Sequence, residues 1–124
     1  MLEIKESYEF DAIVIGAGIV GLAIAHEFSA SYGNILVIEK ETTFGRHVSS
    51  RNSEVIHSGL YYEPDSLKAK LCVEGNLLIY DFAREYNINH RNCGKLIVIP
   101  TKEELPRLEV LRQNGLQNGV VGLQ

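Results

Sequence analysis

Phe10–Glu39, FDAIVIGAGIVGLAIAHEFSASYGNILVIE, is the stretch from which the rest of the chain is read. Phe10 to Ile15 is a short apolar run, rich in β-branched residues and too brief for a free-standing helix, so it predicts a buried strand. Gly16, Gly18 and Gly21 follow at the G-x-G-x-x-G spacing, between that strand and a helical segment. That context gives an otherwise weak pattern its meaning. Gly16 turns the chain sharply off the strand, Gly18 leaves room for a pyrophosphate to approach backbone N–H groups, and Gly21 lets the helix lie close to the sheet.

The helix is expected from about Gly18 to Ser31, with Val20, Ile24 and Phe28 on one face and Gly33 placed to stop it. Its unpaired N–H groups and the positive end of its dipole, worth roughly 0.3–1 kcal/mol per nearby negative charge, can seat a diphosphate without a basic residue. A second buried strand, Ile35 to Ile38, ends on Glu39, 18 residues beyond Gly21. A carboxylate there accepts hydrogen bonds from both ribose hydroxyls of an adenosine and repels a 2′-phosphate. Strand, turn, helix, strand and acid together predict a dinucleotide-binding βαβ unit. Glycines serving close packing alone would leave Glu39 without a role.

The 124 residues carry a formal charge of −4 with Lys and Arg scattered, so no basic stripe is present to engage a nucleic-acid backbone. No apolar run is long enough to span a bilayer, and MLEIKESYE is too acidic and polar for a secretory signal. A cytoplasmic compartment is the expectation. Cys72 and Cys93 form neither a C-x-x-C pair nor a metal cluster, so reduced structural thiols and no metal site are expected. A dinucleotide-binding sheet needs more parallel strands than two, and nothing later repeats the βα pattern. The chain therefore reads as the opening part of a polypeptide about two to three times longer.

Lys40 to Ser50 has no apolar periodicity and reads as a loop leaving the C-terminal end of the second strand, where ligands of open α/β sheets collect. The next segment, Ser49–Tyr62 (SSRNSEVIHSGLYY), gathers hydroxyls, a guanidinium, an amide and an imidazole. These groups suit phosphate or ribityl oxygens, and Arg51 suits a phosphate or the underside of a ring. A polar loop with a short helix capped by Ser53 explains the same residues. His57, between Ile56 and Ser58-Gly59, is either a base or cofactor-facing group or a packed imidazole. His26, His47 and His90 read as surface residues. Asp65 is the expected N-cap of a long helix, about Ser66 to Tyr86, whose seam Leu67, Leu71, Gly75, Leu78, Phe82 and Tyr86 predicts core packing. Gly75 is expected to allow a close pass by another element. Cys93 to Thr101 predicts a strand ended by Pro100, and Pro106 places a last helix start near itself.

With these residues read, the chain resembles the amino-terminal part of the flavoprotein family typified by D-amino-acid oxidase and glycerol-3-phosphate dehydrogenase. Within it the chain is most similar to the branch of L-2-hydroxyglutarate dehydrogenases and oxidases, through SSRNSEVIHSGLYY, SLKAKLCVEGN and CGKLIVI. The resemblance implies an α/β fold: an incomplete Rossmann-like FAD-binding βαβ unit followed by the start of a substrate-domain sheet. It divides the chain into residues 1–90, the amino-terminal part of the FAD-binding domain, and 91–124, the beginning of a substrate-binding domain. It places Gly16, Gly18 and Gly21 on the pyrophosphate, Glu39 on the ribose and Lys40 along the adenine. Ser50, Arg51, Asn52 and Ser53 then run along the pyrophosphate towards the isoalloxazine, and His57 faces the flavin.

The function so implied is FAD-dependent oxidation of a small 2-hydroxy acid, L-2-hydroxyglutarate, by hydride transfer to flavin, with His57 as a candidate base. The expected electron acceptor is oxygen or quinone, with peripheral contact to the inner membrane as a further expectation. Three readings compete. The enzyme could instead oxidise glycerol 3-phosphate or an amino acid, the chain as it stands could be a noncatalytic dinucleotide-binding fragment, or NAD could occupy the fold.

Overall fold

The computed structural model describes residues 7–124, so the beginning of MLEIKESYE lies outside the described residues. The strands β1, Ala12–Ile15, and β2, Ile35–Ile38, pair in parallel, Ala12 opposite Ile35 and Ile15 opposite Ile38. Parallel neighbours need a crossover, and helix α1, Ile19–Ser29, supplies it. The chain divides into two compact units, one ending at Glu54 and the other spanning Val55–Gln124.

In the first unit, Asp11 fastens the entry of β1 to the turn before β2. Its Oδ2 accepts the N–H groups of Gly33, at 3.1 Å, and Asn34, at 2.9 Å. Gly33 is thus held by the sheet, and α1 stops earlier than expected, with Ala30 as its C-cap. Val14 and Ala17 are buried, yet Ile15 is 85% exposed and Ile13 54%. The strand forms where the sequence predicts it, but only one of its faces is covered. Two strands and one helix cannot enclose a parallel sheet on both sides. An apolar groove of about 600 Å³ remains, lined by Ile13, Ile15, Val20, Ile24, Phe28 and Val48 among others.

The second unit is built on helix α2, Leu67–Glu85, and helix α3, Leu105–Gln117. Ser66, not Asp65, caps α2: its Oγ accepts the Ala69 N–H at 3.1 Å. Asp65 has φ of +64°, outside the extended backbone that a cap requires. The leucine seam is also corrected. Leu67, Leu71, Leu78, Phe82 and Tyr86 are exposed, whereas Ala69 and Ala83 are buried, so α2 packs through its small residues. Gly59 approaches Val73 of that face, and a Cβ on Gly75 would meet nothing, so Gly75 accommodates no close neighbour.

Pro106 lies in the first turn of α3, as its fixed φ favours. The strand expected over Cys93–Thr101 is not formed, because among the described residues no second strand pairs with it. Its alternation survives in burial alone: Ile97 and Ile99 are half-buried, Leu96 and Val98 exposed. Asn118 closes the unit by donating from Nδ2 to the carbonyls of Gly59 and Tyr62, each at 2.9 Å.

Candidate dinucleotide-binding site

Gly16 leaves β1 with φ of +103°, a conformation that an L side chain resists, and its N–H donates to the Ile38 carbonyl at 2.7 Å. The turn is thereby tied to the end of β2, which carries Glu39. Glu39 folds back over the turn: Oε2 accepts the Ala17 N–H at 2.7 Å and Oε1 accepts the Glu41 N–H at 3.0 Å. The backbone donors of Glu41 and then Ala17 hold its carboxyl below the ordinary value of 4.5, so it is ionised at neutral pH.

Gly21 brings α1 against this turn. A Cβ at Gly21 would overlap the Gly16 carbonyl oxygen and would stand 3.4 Å from Val14 Cγ1. The helix axis therefore starts directly over the strand end. Ser49, from a short 3₁₀ turn at His47–Ser50, reaches the same place, and its Oγ accepts the Ile19 N–H at 2.9 Å. A Cβ on Gly18 would come within 3.1 Å of that hydroxyl, so the cradle holds no spare side chain.

The donors left open are the N–H groups of Gly18, Val20 and Gly21, which meet no acceptor among the described residues; the first helical bond is donated by Leu22 to Gly18. Three convergent N–H groups at the positive end of an 11-residue helix suit a diphosphate. A carboxylate offers about four lone-pair positions, and the Ala17 and Glu41 N–H groups leave acceptor capacity on Glu39 for ribose hydroxyls. These residues fit an adenine dinucleotide.

The other expected residues are distributed differently. Lys40 is exposed beside Glu41, with Nζ 3.8 Å from its Oε1. Ser50 bonds back to the His47 carbonyl at 3.0 Å. Asn52 shapes its own loop, donating to the Ser49 carbonyl at 2.9 Å and accepting the Glu54 N–H at 2.8 Å. No helix follows Ser53, and Arg51 and Ser53 are exposed. The motif Ser49–Tyr62 spans both units, and His57 belongs to the second. There the His57 ring Nδ1 lies 3.4 Å from the Tyr62 hydroxyl, and its carbonyl accepts from Asn76 Nδ2 at 2.9 Å.

Ser49 is the site residue that the sequence reading passed over. Its hydroxyl stands in a run of similar ones, and its partner Ile19 is 30 residues away. No local pattern distinguishes it from Ser50. Among the described residues no group of three or more His, Cys, Asp or Glu side chains is placed to hold a metal, and no helix is long and apolar enough to cross a membrane.

Comparison with known proteins gives a consistent result. The family described as FAD dependent oxidoreductase matches residues 11–123. The chain is 51% identical over 117 residues to the mitochondrial L-2-hydroxyglutarate dehydrogenase of Bos taurus, covering 93% of this chain and 25% of that protein. It is 50% identical over 114 residues to the mitochondrial protein of the same name from Arabidopsis thaliana, covering 92% and 24%. The L-2-hydroxyglutarate dehydrogenase of Indibacter alkaliphilus is 47% identical over 116 residues, covering 92% and 29%. The chain thus spans about a quarter of the length of these relatives. The glycine turn, its helix and Glu39 all fall inside the matched residues, and the chain belongs to the FAD dependent oxidoreductase family.

Proposed function

We propose that this chain is the FAD-binding part of an oxidoreductase that oxidises a small 2-hydroxy acid, L-2-hydroxyglutarate, to the corresponding 2-oxo acid. The observation that carries the reading is the glycine turn with three open N–H groups and Glu39 beside it, within a sequence about half identical to proteins named for that activity. FAD supplies the hydride-accepting ring when bound. The residues of this chain hold it: Gly18, Val20 and Gly21 by their N–H groups at the diphosphate, and Glu39 at the ribose. The carbon that loses hydride also has a hydroxyl proton to lose. His57 faces the ring in this assignment, and Arg51 and Ser53 reach the diphosphate or the ribityl chain.

The division into a cofactor part, 1–90, and a substrate part, 91–124, belongs to the same proposal. So do oxygen or quinone as electron acceptor, and a cytoplasmic enzyme with peripheral contact to the inner membrane. The bacterial relative resembles the chain nearly as closely as the relatives named mitochondrial. The open apolar groove along β1 favours a second reading for this polypeptide taken alone, a dinucleotide-binding unit that does not turn over.

The test is anaerobic addition of 2-hydroxy acids, glycerol 3-phosphate and amino acids to the full-length flavoprotein. Bleaching of the flavin absorbance is expected with L-2-hydroxyglutarate. Bleaching by glycerol 3-phosphate alone would replace the substrate, and purification with NAD and no flavin would replace the cofactor.

A further inference from the structure

His57 has two ring nitrogens, and which of them bears the proton decides what the imidazole can do. Its surroundings in the second unit are specific. The backbone is held through the Asn76 amide, which donates to the His57 carbonyl at 2.9 Å from the middle of α2. Nδ1 faces the Tyr62 hydroxyl at 3.4 Å. The ammonium of Lys68, in the first turn of α2, stands 4.5 Å from the centroid of the Tyr62 ring.

A phenol hydroxyl is a better donor than acceptor, because its oxygen lone pair is delocalised into the ring. A cation over the ring face draws electron density further from that oxygen. Both effects make the Tyr62 hydroxyl the donor in its contact with His57 Nδ1.

We infer that Tyr62, polarised by Lys68, donates its O–H to His57 Nδ1 and so keeps the His57 proton on Nε2, making the imidazole a hydrogen-bond donor to whatever it faces. Tyr62 is then a positioning residue. In its resting tautomer His57 stabilises electron density on a neighbouring oxygen or nitrogen, and it is not the group that takes the hydroxyl proton of a substrate. This consequence rests on the flavin-facing reading of His57. The tautomer does not.

Two measurements separate these levels. Long-range ¹H–¹⁵N correlation of the ¹⁵N-His-labelled chain, above the pH at which imidazoles titrate, reports the tautomer, with His57→Gln identifying the resonance. Nδ1 is expected unprotonated in the parent chain. In Tyr62→Phe the ratio of the Nε2–H to the Nδ1–H form is expected to fall roughly threefold, the lower range for losing a neutral hydrogen bond, and Lys68→Met is expected to move it in the same direction by less. A protonated Nδ1 in the parent chain, or an unaltered ratio in Tyr62→Phe, would overturn the inference. In the full-length flavoprotein, a donor role predicts that His57→Gln, which retains an N–H donor, keeps much more of the flavin-reduction rate than His57→Leu. Equal loss in both variants would assign His57 as a base and overturn the donor role. No effect of either variant on flavin absorbance or reduction would overturn the flavin-facing reading while leaving the tautomer measurement intact.

Discussion

Gly21→Ala adds one methyl group at the point where α1 crosses the end of β1. The added Cβ would overlap the Gly16 carbonyl oxygen, approach the Gly16 carbonyl carbon at 3.1 Å and touch Val14 Cγ1 at 3.4 Å. The first two obstacles are backbone, so no rotamer change relieves them and the helix start must move away from the strand. Overpacking of this kind costs about 1–3 kcal/mol, and a rigid backbone obstacle belongs at the upper end. Alanine recovers about 1 kcal/mol of helix propensity, which leaves a net loss of about 2 kcal/mol. Gly75→Ala makes the identical chemical change in mid-α2, where the Cβ meets nothing within 4 Å, so only the propensity gain of about 0.5–1 kcal/mol remains. Urea unfolding followed by circular dichroism measures both. With a slope of about 1–2 kcal/mol per molar, Gly21→Ala should lower the midpoint by about 1–2 M and Gly75→Ala should raise it. Gly21→Ala should also weaken FAD binding, because the shift of the helix start that its Cβ forces displaces the open N–H groups there. Shifts of the same sign in both variants, or a Gly21→Ala chain as stable as its parent, would refute the packing argument.

Ser49→Ala removes the acceptor of the Ile19 N–H and should destabilise the first unit by about 1 kcal/mol in the same urea assay. Ser66→Ala removes the α2 cap for a loss of about 1 kcal/mol, while Asp65→Gly should be neutral or stabilising because Asp65 occupies a left-handed conformation. Opposite outcomes at these two neighbours would return the cap to Asp65. The folded Glu39 carboxyl titrates below its ordinary value of 4.5, so its contribution to stability is complete above that value. It is lost as pH falls through the lower, folded-state value. The stability difference between the parent chain and Glu39→Gln should therefore shrink on acidification below about pH 4.5, and a difference independent of pH would exclude this linkage.

The sequence made the βαβ unit legible because every local signal agreed. β-branched runs, glycine spacing and a terminal acid are all read within 30 residues. The outcome differed where a partner decides the structure. Leu67, Leu71 and Leu78 satisfy a helical seam, yet α2 turns Ala69 and Ala83 inward, because periodicity identifies an apolar stripe and not what covers it. Residues Cys93–Thr101 alternate correctly for a strand but need a neighbour to form a ladder. Asp65 and Ser66 are both good cap residues, and only the backbone angle separates them. Within the site, Gly16, Gly18, Gly21 and Glu39 come together at one turn, a juxtaposition that follows from the local chain geometry. Ser49 was not legible in this way, since its role is a contact made across 30 residues.

Glu39 is tied to the glycine turn more closely than a ribose contact alone would require. One oxygen holds the Ala17 N–H inside the glycine turn, and the other holds the Glu41 N–H at the start of the following loop. Sugar hydroxyls can be accepted on the remaining lone pairs without disturbing either bond. A glutamine cannot reproduce this arrangement. Its amide has one oxygen for two backbone donors and would turn an NH₂ group towards the other N–H, leaving two donors opposed. Loss of the carboxylate should therefore loosen the diphosphate seat as well as the ribose contact. Glu39→Gln should weaken binding of the AMP half of FAD and of inorganic pyrophosphate alike, whereas a residue that touched only the sugar would leave pyrophosphate binding unchanged.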